Sequence, residues 1–550
     1  MKFFYLLPAM LFSAQVLFSQ TPTSEKLKEH VYFLADDKLE GRATGSAGEK
    51  LASDYIAKQF ASVGLEKLNG TENYLESFEV NAGKKEGSNN SIAFKNLLFT
   101  SPEVFPLTFS ANGIVEAEFR FAGYGISASE LNYDDYADVD ITGKIAVIKL
   151  STPESNNPHS KFADYADART KVLMAILKGA KGVILYTDEA DVEIPARDYT
   201  HNSPRESIPV LFAEKKIIDS LKSFQGKIIM HTELEDILKT GHNVVGYLNN
   251  GAVNTIIIGA HYDHLGHGEI EGSLYRGDPA IHNGADDNAS GVSLIIELAR
   301  KLSASTDKNN NYLFIAFSGE EMGLFGSKAF VNSELIKNLN INYMLNFDMV
   351  GRLDTSNILI INGTGTSPAW KILDNIAVDQ IKIKKSEGGI GPSDQTSFYL
   401  KDIPVLHFFT GSHPDYHKPS DDADKVNYTG MESVLDYVLV LIDDLNNTGK
   451  ISFTKTQDAS NEDVPSFKVT LGVVPDYAYN GKGMRIDGVS DGKPAFKAGM
   501  LAGDIVIRLG DYEVAEMMSY MKALSKYNKG ETVNVTFLRD GKELTLPVTF

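Results

Sequence analysis

Four short apolar runs, Thr255 to Gly259, Tyr312 to Phe317, Tyr343 to Phe347 and Ile403 to Phe409, punctuate the stretch that begins at Asn254. Each is short, almost unbroken in its apolar character, and fits a central strand covered on both faces. Between the first two, Val292, Ile295, Ile296, Ala299 and Leu302 recur at helical spacing behind Asn288, a residue able to cap a helix start. Strands that alternate with helices make βαβ units, which pack as a mostly parallel sheet flanked by helices. The expected fold class is therefore α/β.

The remainder of the 550 residues exceeds what one core organises, so several domains are expected. Residues 1–19 carry Lys2 and then an apolar run to Phe18, the pattern of a signal peptide. Residues 20–112 open with two amphipathic helices, one presenting Leu27, Val31 and Leu34 and the next Leu51, Tyr55, Phe60 and Val63. Residues 113–236 turn β-rich, with Ile145 to Leu150 and Gly182 to Tyr186 set between Gly and Pro turns, and read as an inserted domain. The α/β pattern fills 237–448, a polar linker spans 449–464, and a second β-rich unit occupies 465–550.

Cysteine is absent, which excludes disulfides, thiolate metal sites and a Cys nucleophile; any metal must be held by His and carboxylates. The net charge of −20 repels nucleic acid and anionic membrane surfaces, and neither is expected as a partner. No later stretch supplies the roughly 20 apolar residues of a membrane span. A periplasmic or secreted protein without stable membrane insertion is expected after signal cleavage. His-Glu-x-x-His, Walker and dinucleotide fingerprints do not occur.

The candidate ligands fall at the ends of the expected strands. His261 follows the first, Glu320 and Glu321 the second, Asp348 the third and His417 the fourth, while Asp286 precedes the connecting helix. Ligands of open α/β sheets bind beyond the carboxyl ends of the strands, so these side chains can converge. The carboxylates of Asp286, Glu320, Glu321 and Asp348 are too costly to bury together uncompensated, and two divalent cations would balance them. Mixed His and carboxylate ligation favours zinc, with cobalt and manganese as alternatives. Of the adjacent pair Glu320 and Glu321, one can bind metal while the other holds the attacking water.

The runs Gly259-Ala-His-Tyr-Asp-His-Leu-Gly266, Asn283-Gly-Ala-Asp-Asp-Asn-Ala-Ser-Gly291, Ser318-Gly-Glu-Glu-Met-Gly-Leu-Phe-Gly-Ser327, Asn346-Phe-Asp-Met-Val-Gly351 and Asp415-Tyr-His417 together resemble the M28 zinc peptidases. The resemblance covers residues 22 to 112 and 237 to 448 and implies a zinc exopeptidase fold holding two Zn2+ ions. It implies that Asp286 bridges the metals, that His261 and Asp348 complete one site and Glu321 and His417 the other, and that Glu320 is the general base. Asp263 would then orient His261 through its other ring nitrogen, and Tyr416 occupies a position where some members place a carbonyl-polarising tyrosine. The implied reaction is removal of N-terminal residues from peptides. A dipeptidase or carboxypeptidase with the same metals, and an inactive peptide-binding scaffold, are the alternatives. The insert resembles a protease-associated (PA) domain at Gly123-Tyr-Gly125 and Gly143-Lys-Ile-Ala-Val147. The C-terminal unit resembles a PDZ domain, with Leu471-Gly472-Val473 as a loop for a peptide C-terminus.

Asp287 is read here as a helix cap, and His264, His267, His282, His407 and His413 as structural histidines without a role. Arg352 admits two readings, a grip on a substrate carboxylate or an ordinary salt bridge.

Overall fold

The structure is a computed structural model that describes residues 21–550 apart from 156–159, 163–164, 191, 198, 200–204, 271, 276, 379–380, 457–468, 476–481, 490–492, 502, 516, 529 and 540. The expected signal peptide lies outside the described residues.

A nine-stranded sheet organises the α/β part. Its centre is parallel: Asn310–Phe317, Asn254–His261, Ile341–Phe347 and Val405–Phe409 lie side by side in that order. These strands contain the first three apolar runs and the fourth from Val405 onward, and their middle residues are buried because helices cover both faces. Thr23–Leu34, Gly291–Ser303 and Tyr428–Leu445 close over one face, burying Leu27, Val31, Ile295, Leu298 and Leu441 against Leu345 and Leu406. Phe330 and Phe398, from Phe325–Asn332 and Gln395–Tyr399, pack on the other face against Leu313, Met344 and Val405. Antiparallel strands extend the sheet on both sides. Leu234–Leu248 pairs with Asn310–Phe317, and Ile358–Asn362 pairs with Val405–Phe409.

The second expected helix forms over Ala47–Ser62 with Ser46 capping the Glu49 amide, but its buried stripe differs from expectation. Ala52, Ile56 and Phe60, spaced four apart, face the core, and Leu51 is 49% exposed.

An eight-stranded sheet forms the insert, and it begins before residue 113. Ser91–Phe94 pairs with Lys227–Thr232, Leu97–Thr100 with Ser91–Phe94, and Val104–Pro106 with Val210–Ala213, so all three belong to it. The expected boundary followed the β-rich composition and missed these earlier strands. The linker expected from 449 also starts later. Ile451 donates its amide to Asn342, and Thr456 bonds the Tyr399 hydroxyl, so 451–456 are docked on the α/β part. The C-terminal unit is a six-stranded sheet with Leu471, Ile486, Val506, Val535 and Phe537 in its core.

Candidate metal centre

Strand ends deliver the polar side chains to one rim of the central sheet. His261 is the last residue of its strand, Asp348 directly follows Phe347, and Glu320 and Glu321 lie just beyond Phe317. His417 comes from the loop after Phe409. The segment 284–291 enters from Gly284, whose φ of +54° and tight surroundings leave no room for a side chain: a Cβ there would lie 2.1 Å from the Asp287 carbonyl. Asn288 then closes the turn by accepting from the Gly291 amide at 2.9 Å and donating to the Phe347 carbonyl at 2.9 Å. The helix start is thereby tied to the strand that carries Asp348.

The aspartate at the centre of this rim is Asp287. One of its oxygens lies 3.3 Å from His261 Nε2, and the other lies 3.2 Å from His417 Nε2. The expected bridging residue, Asp286, points away: its Oδ1 accepts from the Gly351 amide at 2.6 Å and its Oδ2 faces His413 Nε2 at 3.1 Å. The reason is a carboxylate far along the chain. Asp421, fully buried, accepts from both the Asp286 and Asp287 amides and fixes which way each side chain leaves the backbone. Asp287 is accordingly not a helix cap, and Asn288 serves the helix start.

Two groups of donors flank Asp287. On one side His261 Nε2 lies 3.3 Å from Asp348 Oδ1. On the other, His417 Nε2 lies 3.3 Å from Glu321 Oε2. His264, for which no role was expected, sits on this second side with Nδ1 2.7 Å from Glu321 Oε1. His261, Asp287 and Asp348, and likewise His264, Asp287 and Glu321, each place one donor atom within 4.8 Å of one another. This buried His and carboxylate donor set, without sulfur, suits zinc.

His261 and His417 are each held by a hydrogen bond at the other ring nitrogen. His261 Nδ1 donates to the main-chain carbonyl of Asp263 at 3.2 Å, whereas the Asp263 carboxylate is 3.8 Å away. That carboxylate, expected to orient His261, instead receives the Glu320 amide at 3.1 Å and the Thr44 hydroxyl at 3.0 Å. It thus acts on the Glu320 backbone. His417 Nδ1 donates to the Gly272 carbonyl at 2.9 Å, and the Leu274 amide returns a bond to the His417 carbonyl at 3.0 Å. A Cβ on Gly272, at φ +131°, would stand 3.4 Å from His417 Nδ1. Tyr416 stacks on His417 with ring centroids 3.8 Å apart. Arg352 bonds Asp421 at 3.0 Å and Asp415 at 3.3 Å, the ordinary salt-bridge reading.

The electrostatics are those of a site built around positive charge. Burial opposes ionisation of Asp287, yet His261, His264 and His417 hold its carboxyl well below the usual range. Burial likewise opposes the charge on Glu321, and His417 with His264 brings it down to about 2. Burial disfavours protonation of His261 and His417, but the surrounding carboxylates, Asp348 and Glu320 for one and Glu321 and Asp287 for the other, raise both well above the ordinary imidazole value. Glu320 differs. Burial, reinforced by Glu321 and Asp348, pushes its carboxyl well above the usual range. Neighbouring glutamates pushed in opposite directions suit different roles.

Arg42 supports the rim from the N-terminal part. Its buried guanidinium donates to the carbonyls of Tyr262 at 2.7 Å, Leu34 at 2.5 Å, Asn283 at 2.7 Å and Gly284 at 3.1 Å. Nothing in the sequence marked Arg42 or Asp421, because most of their partners are main-chain atoms that only the fold brings near.

Residues 243–442 match the model of peptidase family M28, residues 110–221 that of the PA domain and residues 451–550 that of the PDZ domain. The Escherichia coli (strain K12) protein YfbL, described as uncharacterized, is 30% identical over 220 residues, which cover 34% of this chain and 66% of that protein. Aminopeptidase YwaD of Bacillus subtilis (strain 168) is 24% identical over 331 residues, covering 57% of this chain and 64% of that protein. The chain thus spans just under two thirds of the length of each of these relatives. An aminopeptidase structure from Aneurinibacillus sp. strain AM-1 aligns with 25% identity and a TM-score of 0.42, over 80% of this chain and 96% of that one. Among the described residues no helix is long and apolar enough to cross a membrane. Residues 243–442 of this chain are a peptidase family M28 domain, carried in one polypeptide with a PA domain and a PDZ domain.

Proposed function

We propose that the chain is an exported zinc aminopeptidase that holds two Zn2+ ions and removes the N-terminal residue of peptides. The observation that carries this reading is the division of the Asp287 carboxylate between His261 on one side and His417 on the other. In this reading His261 and Asp348 hold one ion, Glu321 and His417 the other, and Asp287 bridges them. His264 holds the second oxygen of Glu321 in place.

Bound there, zinc would polarise the scissile carbonyl and lower the pKa of water towards neutrality. Glu320 takes the proton of the attacking water and returns it to the leaving amine. Its amide is fixed by Asp263, which sets the direction of its side chain. Tyr416, stacked on His417, is placed beside the second ion's ligand and is the candidate for contact with the carbonyl oxygen. The aminopeptidase name of the Bacillus relative supports N-terminal polarity. The PDZ domain would take a peptide C-terminus by strand addition at Leu471-Gly472-Val473.

The test is turnover of free-amine against N-blocked peptides, with a chelator control and the Glu320→Gln variant. Cleavage of free-amine peptides only, lost on chelation and reduced at least about 10²-fold in Glu320→Gln, is expected. Equal cleavage of blocked peptides would point to the carboxypeptidase alternative, and no turnover of any peptide to a binding scaffold.

A further inference from the structure

On the sheet face opposite the Gly291–Ser303 helix, a group of buried polar atoms lies one strand step from Asp348. Side chains alternate along a strand, so Asn346 projects on the same side as Asp348, two residues and roughly 7 Å further from the rim. His407 sits beside Asn346 in the neighbouring strand, and Asn362 sits beside His407 in the next. Other positions on this face are apolar: Met344, Val405, Ile360 and Phe409. Three polar side chains in such a row are not what a packed sheet needs.

Their bonding is incomplete in a consistent way. Asn346 Nδ2 donates to Ser393 Oγ at 2.8 Å and to Gln395 Oε1 at 3.0 Å, and its Oδ1 has no partner among the described residues. Asn362 Nδ2 donates to His407 Nδ1 at 3.2 Å, and its Oδ1 likewise has none. With Nδ1 accepting, the neutral His407 ring carries its hydrogen on Nε2, and that nitrogen is also without a partner. Leaving a buried donor or acceptor unmet is destabilising. The row therefore leaves two acceptors and one donor without a partner among the described residues.

We propose that Asn346, Asn362 and His407 form the floor of the subsite for the side chain of the substrate's first residue, and that this floor selects a carboxamide, glutamine or asparagine, over its apolar isostere. The inference rests on the aminopeptidase reading. A carboxamide matches the floor atom for atom: its oxygen accepts from His407 Nε2, and its NH2 donates to Asn346 Oδ1 and Asn362 Oδ1. A lysine ammonium would meet the His407 donor, and a carboxylate would meet two acceptors. Burial keeps His407 neutral, with its pKa down to about 4, so the donor count holds over the working range. Met349, Ile360, Phe409 and Tyr416 form an apolar cluster in which Phe409 stacks on His407 and Tyr416 on His417, and it would line the path of the side chain's methylenes.

The test is kcat/KM for zinc-loaded full-length protein on free-amine peptides that differ only in the first residue: Gln, Met, Asn, Leu, Lys and Glu. Gln over Met and Asn over Leu by at least about tenfold are expected, since sites built to hydrogen-bond a substrate reject analogues lacking the group. In His407→Leu, and separately in the half-buried Asn362→Leu, the Gln rate should fall about tenfold or more while the Met rate holds or rises. Met and Leu equal to or better than Gln and Asn in the wild type would overturn the inference and leave the aminopeptidase reading standing. Equal losses on every substrate in both variants would also overturn it, as the mark of a structural role. Absence of turnover on all free-amine peptides would overturn the aminopeptidase reading itself, and the inference with it.

Discussion

Asp286 and Asp287 are adjacent in the chain, yet their carboxylates serve different partners: Asp286 meets the Gly351 amide and His413, Asp287 meets His261 and His417. The pair therefore separates two contributions that one substitution would confound. Asp287→Asn should abolish binding of both ions and peptide turnover together. Asp286→Asn keeps the metal donors and should retain two zinc ions, with affinity weakened about 10–100-fold through the loosened support of the rim. Metal content after dialysis against graded zinc distinguishes the two, and loss of both ions in Asp286→Asn alone would reverse the assignment.

Arg42 reaches from the N-terminal part to carbonyls on both sides of the metal rim, at Tyr262 next to His261 and at Asn283 and Gly284 before Asp287. Arg42→Met leaves those buried carbonyls unmet, each at about 1–3 kcal/mol. The expected outcome is a lower unfolding temperature and a weaker zinc affinity together. A normal affinity in a destabilised protein would show that Arg42 supports the fold without positioning the ligands.

In the insert, Lys171 is buried and donates to the Tyr124 carbonyl at 2.7 Å. Burial lowers its ammonium from 10.5 to about 7, against the pull of Asp135 and Asp167. Between those two values the unfolded chain binds the proton and the folded chain does not, so stability rises with pH across that window. Thermal unfolding followed from neutral to mildly alkaline pH should show this rise in the wild type and a flatter profile in Lys171→Met. A slope unchanged by the substitution would contradict the assignment.

The parallel core was legible because its strands are short and apolar on both faces and alternate with a helical pattern. Convergence of His261, Glu320, Glu321, Asp348 and His417 was legible for the same reason: each follows a strand whose end is known. The choice between Asp286 and Asp287 was not, because it depends on two amides received by Asp421, some 130 residues away in the chain. His264 escaped notice because it lies in a loop after the strand, where no periodicity tells which way a ring points. Leu51 was assigned inward because helical spacing alone admits more than one apolar stripe; Ala52, whose small side chain carries little hydrophobic signal, marks the real one. The insert's early strands were missed because Ser91–Phe94 and Leu97–Thr100 are short and pair with partners more than a hundred residues later or with each other.

Zinc-edge anomalous diffraction from crystals of the zinc-loaded protein tests the central claim directly. Two peaks are predicted, one within bonding distance of His261, Asp348 and Asp287, the other within bonding distance of His417, Glu321 and the second oxygen of Asp287. A single peak, or zinc bound by Asp286 and His413 instead, would contradict the account.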